Sequence, residues 1–170
     1  MFDENSPTAS FRRKAMIPTG ATGSETAHSA QRTAVQLVEE SALRLAGKAF
    51  SMAYFAAEAL DNVIIPELPG QRQAFAEELV HRLEGAAMLN ESFRRDLDTL
   101  LSYIDDCIDA HTELGWISDD HHIDGGYEVQ LRDDTAKMLG AARHDIVALH
   151  DSLRAALSAQ HASQAVKQLL

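Results

Sequence analysis

Three observations on this 170-residue chain predict an all-α fold. Alanine and leucine dominate and only four prolines interrupt the sequence, a composition that favours helix. Beyond residue 29, apolar residues recur at spacings of three and four, which gathers them on single helix faces. No segment alternates with period two for long enough to require a strand. A hydrophobic content of 45% beside 24% charged residues suits a globular domain, and the length is enough to bury one sizeable core.

Residues 1–28 differ in kind. They are rich in Ser, Thr, Gly and Pro and show no apolar period, so they read as a flexible arm before a helical domain over 29–170. Within the arm, Phe11-Arg12-Arg13-Lys14 resembles the start of an export signal. No apolar core of seven or more residues follows it, so a cytoplasmic location is expected.

The elements follow in order. A long helix is predicted from Ser29 to Asn62, with Val35, Val38, Ala42, Leu45, Ala49, Met52, Ala56 and Ala59 inward. Gly47 is placed to bend or divide it. Pro66, Pro69 and Gly70 mark a connection. A second helix runs from Gln71 to Met88, with Phe75, Leu79, Leu83 and Ala86 inward. Asn90 then caps a third helix, whose Phe93, Leu97, Leu100, Ile104, Ile108 and His111 share one face. Gly115 is read as the left-handed residue that ends it. Residues 115–126 show no helical period. Helix is expected again from Tyr127, with Leu131, Thr135, Met138 and Ala142 on one face. Gly140 divides it from a last helix, in which Ile146, Leu149, Leu153 and Leu157 face inward.

His111 is the main candidate for chemistry. A buried imidazole at a helix end, facing an apolar space, suits axial ligation of haem iron. The structural alternative is a core histidine bonded to a backbone carbonyl. Two other constellations compete. His81-Arg82-Leu83-Glu84-Gly85-Ala86-Ala87 resembles the phosphorylated helix of histidine phosphotransfer domains, with Glu84 where that family has lysine. A carboxylate there would repel the incoming phosphoryl group. Asp119-Asp120-His121-His122, followed by Asp124, has the donor types of a metal loop but the spacing of no familiar one. Cys107 sits in the apolar stripe, where a thiol behaves as a small hydrophobe.

Five patches, in order, give the chain a resemblance to bacterial globins, alone or as the haem domain of flavohaemoglobins. These are Val38-Glu39-Glu40-Ser41, Tyr54-Phe55-Ala56-Ala57, Gln71-Arg72 with Phe75 and Leu79, His111-Thr112-Glu113-Leu114-Gly115, and His121 to Gly125 with the apolar run after Tyr127. The resemblance covers residues 31–160. It implies a globin-like bundle of about six to eight helices, with haem as cofactor and His111 as the proximal iron ligand. It also implies O2 or NO as the bound gas. Gln71, 40 residues before His111, and His81, 30 before it, are both candidates for the distal residue. Tyr54 and Phe55 would stand on the same side. Turnover of either gas would need a separate reductase, because no segment is long enough to bind flavin or nicotinamide.

A rival expectation is a haem-free helical bundle that acts as a sensor or protein interaction module, as a homodimer or with another protein through its helical faces. The net charge of −11 argues against a nucleic acid partner. No run of 18 apolar residues is present to span a membrane. The single cysteine excludes an internal disulfide and fits a reducing compartment.

Overall fold

Two long antiparallel helices frame the protein, and two shorter ones complete a four-helix bundle over half their length. A computed structural model describes residues 22–84, 86–118 and 125–169. Helix α1 spans Thr22–Ala59, α2 Gln71–Leu83, α3 Glu91–Ala110 and α4 Asp134–Gln168. Between α3 and α4 stands an antiparallel hairpin of β1, Thr112–Ser118, and β2, Gly126–Arg132. The fold is thus mostly helical, with these four helices and one small sheet as its main elements among the described residues.

Side-chain pairs fix the helix directions. Lys167 near the end of α4 meets Glu39 of α1 at 2.7 Å. Asp105 of α3 accepts two hydrogen bonds from Arg143 of α4, at 2.6 and 3.0 Å. Arg72 pairs with Asp106 and Arg82 with Asp96, so α2 and α3 also run antiparallel. These contacts make an up-and-down bundle, with short connections leading into α2 and α3 and the hairpin joining α3 to α4.

The inward stripe read along α1 holds. Ala49, Ala56 and Ala59 are buried, and Val35, Val38, Ala42, Leu45 and Met52 are half-buried. Small alanines on this face let α1 pack on α4 along most of their length. Gly47 and Gly140 neither bend nor divide their helices, which run unbroken through both. Helix α1 already begins at Thr22, so residues 22–28 of the expected arm are helical, and the rest of it lies outside the described residues.

Pro66 shapes the turn after α1. Proline brings no N–H, so an α-helical bond to residue 62 is lost there. The chain responds with a π-helical turn over Leu60–Ile64, in which the Ile65 N–H reaches the Leu60 carbonyl. Leu68 is then extended, and Gly70 takes a left-handed φ of 55° just before α2. In α2, Leu79 and Leu83 are buried and Phe75 half-buried against Tyr103. The helix ends at Leu83, and the Ala86–Met88 stretch continues as a 3-10 turn.

Asn90 caps α3 as expected, its side-chain oxygen accepting the Phe93 N–H at 2.8 Å. Phe93, Leu97, Leu100, Ile104 and Ile108 are all buried. Opposite them, α4 buries Leu139, Ile146, Leu149, Leu153 and Leu157.

The largest correction concerns residues 112–132. Expected as a helix corner, a loop and a resumed helix, the stretch instead holds two paired strands, Thr112–Ser118 and Gly126–Arg132. Residues four apart share a face in a strand as well as in a helix, so Tyr127 and Leu131 satisfied both periods. Gly115 does not end α3. It lies in β1 opposite Val129, where a Cβ would collide with the Leu131 side chain. The helix stops earlier, at His111.

Replacing the buried Phe93 by Ala should lower the unfolding free energy by about 3–5 kcal/mol, whereas Asn90→Ala should cost about 1 kcal/mol. Urea denaturation of the two variants beside the native chain checks the ratio.

Candidate functional site

His111 is the C-cap of α3, with φ −103° and ψ 18°. One position past the last regular turn, its side chain leaves the buried stripe and is 39% exposed. Nδ1 lies 2.8 Å from Asp133 Oδ2. Asp133 in turn caps α4, its Oδ1 accepting the Ala136 N–H at 2.8 Å. The Asp133 N–H also donates to the His111 carbonyl at 3.2 Å. The two residues therefore clip the end of α3 to the start of α4 and close the base of the hairpin. The Ala136 N–H and then His111 hold the Asp133 carboxyl below the ordinary carboxylate range.

A shallow depression of about 310 Å³ adjoins this clip. Glu113, Arg132 and Asp133 line it beside Ala110 and Leu131, so its wall is charged as much as apolar. Haem needs an apolar slot with the proximal imidazole facing into it. Here the apolar stripe beneath His111 is filled by its own close-packed side chains, and the imidazole turns outward to a carboxylate. The residues present do not fit the group.

The other expected site residues are not gathered around His111. Tyr54 and Phe55 are exposed on the outer side of α1, ring edge to ring face. Tyr54 donates to Glu58 Oε1 at 3.1 Å, which raises its pKa. Gln71 is exposed at the first turn of α2. His81 is exposed near the other end of that helix, 3.9 Å from Glu84. Its exposed position on a bundle helix suits phosphotransfer, but the charged partner beside it is a carboxylate and not a cation.

Cys107 is half-buried, and burial pushes its thiol pKa up, so it is not an activated nucleophile. The expected metal loop at Asp119–Asp124 lies outside the described residues. Among the described residues, no three His, Cys, Asp or Glu side chains are arranged to hold a metal ion. None of the described helices is long and apolar enough to cross a membrane.

Sequence reasoning missed the hairpin surface. Leu114 and Trp116 are 71% and 69% exposed, with Ile117, Tyr127 and Leu131 also open. The register puts Leu114 and Trp116 on one face and Ile117, Tyr127, Val129 and Leu131 on the other. The Trp116 indole lies over Gly126, where any Cβ would displace it. The signal was there in two short arms, Leu114-Gly115-Trp116 and Tyr127-Glu128-Val129-Gln130-Leu131, each alternating over only a few residues.

His150 was also missed. It is largely buried on α4, with Nε2 2.9 Å from Asp98 and 3.2 Å from Arg94 of α3. Its partners make it part of the α3–α4 seam.

The Asp133 clip has a pH signature. A carboxyl whose pKa is lowered by folding stabilises the fold fully above its unfolded pKa, about 3.9, and loses that contribution as pH falls through its folded value. Asparagine keeps the cap and removes the charge. Asp133→Asn should therefore melt below the native chain at neutral pH, with the gap closing as pH drops beneath about 4. Thermal unfolding over a pH series measures it.

Compared with protein families, curated proteins and solved structures, the chain matches none.

Proposed function

We propose that this chain is a helical-bundle interaction module that presents its β-hairpin to another protein. The observation that carries this reading is the uncovered apolar surface of the hairpin, with Leu114, Trp116, Tyr127 and Leu131 each more than half exposed. A two-stranded hairpin is at best marginally stable by itself in water. Leu114 and Trp116 stand on one face of the hairpin and Tyr127 and Leu131 on the other, so each face offers exposed apolar surface of the kind that marks a contact site. Aromatic anchors of the Trp and Tyr type dominate such contacts once they are desolvated. Both outer edges of the two-stranded sheet also offer backbone groups to an added strand. The bundle's part is to hold the hairpin base, through the His111–Asp133 clip.

Haem binding at His111, with a diatomic gas as ligand, remains the rival reading from the globin resemblance. The charged surroundings of His111 weigh against it. Two measurements on the full chain separate them. Trp116 is the only tryptophan, so its fluorescence reports the hairpin alone. The interaction reading expects emission typical of water-exposed indole and ready quenching by acrylamide. It also expects no stoichiometric Soret band on haemin titration. An indole shielded in the dilute isolated chain, or a Soret band that His111→Ala abolishes, would contradict it.

A further inference from the structure

A second open surface lies where the four-helix body gives way to the two-helix extension of α1 and α4. There the end of α2 meets the outer side of α1 and leaves a groove of about 430 Å³. Phe50, Ala57 and Leu83 supply apolar lining, and Glu58, Asp61 and Glu84 stand around them. No Lys or Arg lines the groove among the described residues. Along α1, Leu43, Gly47, Phe50 and Tyr54 follow at spacings of four, three and four, and all four are exposed. This side of α1 therefore carries an apolar stripe that the described residues leave exposed, separate from the hairpin.

We propose that the groove takes the Phe11–Ile17 segment of a second copy of this chain. Phe11-Arg12-Arg13-Lys14-Ala15-Met16-Ile17 sets three consecutive cations between apolar residues, and the sequence has no other run of three Lys or Arg. Three positive charges thus meet three carboxylates around an apolar floor. Elsewhere, a net charge of −11 opposes contact between copies.

The chain cannot fill its own groove with this segment. An α-helix advances about 1.5 Å per residue, so Glu58 lies roughly 54 Å along α1 from Thr22. Arg12 precedes Thr22 by ten residues, which span at most about 36 Å when fully extended. With the Leu43–Tyr54 stripes of two copies facing antiparallel, the second copy's Thr22 stands about 26 Å past Glu58 on the line of α1, less than the roughly 36 Å that ten extended residues span. The basic run is then within reach.

The mass of the full chain by analytical ultracentrifugation, over a concentration and salt series, tests the proposal. The native chain should dimerise, less so as salt rises. R12E/R13E/K14E and E58K/D61K/E84K should each weaken the dimer by roughly tenfold to a hundredfold. The chain with all six substitutions should recover it, because the charges are complementary again. Trp116→Ser should leave the dimer unchanged, which keeps this test separate from the hairpin reading. Should the groove variant lose helicity by circular dichroism, a synthetic peptide of residues 8–19 replaces it as competitor and should dissociate the native dimer. A native chain that is monomeric throughout overturns the proposal. So does an arm variant that dimerises normally, a six-substitution chain that stays apart, or a peptide without effect.

Discussion

Helix α4 is the element on which every other part of the structure depends. Its buried residues Leu139, Ile146, Leu149, Leu153 and Leu157 meet α1 on one side and α3 on the other. Close approach on the α1 side rests on Ala49, Ala53 and Ala56, which keep the helix backbones near each other. On the α3 side the large residues Phe93, Leu97, Leu100 and Ile104 fill the space between. Burying such side chains stabilises by about 1.5–3 kcal/mol each, so these two seams outweigh any surface ion pair in the molecule. Arg143 with Asp105 and His150 with Asp98 then fix the register of α3 on α4 more than they stabilise it.

The same packing sets what is left open. Helices α2 and α3 cover only the half of the long pair nearest the hairpin, which creates the step lined by Phe50 and Leu83. The hairpin stands beyond the opposite end, attached to the core chiefly through the His111–Asp133 clip. Apolar surface thus remains exposed at the step and at the hairpin. Around both, an acidic exterior favours soluble, selective contacts over general stickiness.

Much of the helical frame was legible in the sequence. The α3 stripe was clear because five large apolar residues fall on one face while Asp96, Asp98, Asp105 and Asp109 fall off it. Asn90 announced its cap, and Pro66 with Gly70 announced the first connection. His111 was misread for a specific reason. It continues the three-four spacing by one step, but the helix ends there, and the backbone turns its ring away from the core. The hairpin escaped because each arm is seven residues long and exposed on both faces, so no buried alternation marks it. Glycines misled for the opposite reason: Gly47 and Gly140 cost helix propensity, yet tertiary packing carries both helices through them.

The central claim is that the bundle supports a hairpin that the described residues leave exposed. Residue-resolved amide hydrogen exchange on the isolated chain at low concentration tests this directly. The account predicts that amides of Leu97–Ile108 and Leu139–Leu153 exchange only with global unfolding, and that those of Thr112–Ser118 and Gly126–Arg132 exchange through local opening many times faster. Hairpin amides protected as strongly as those of α3 and α4 would contradict it.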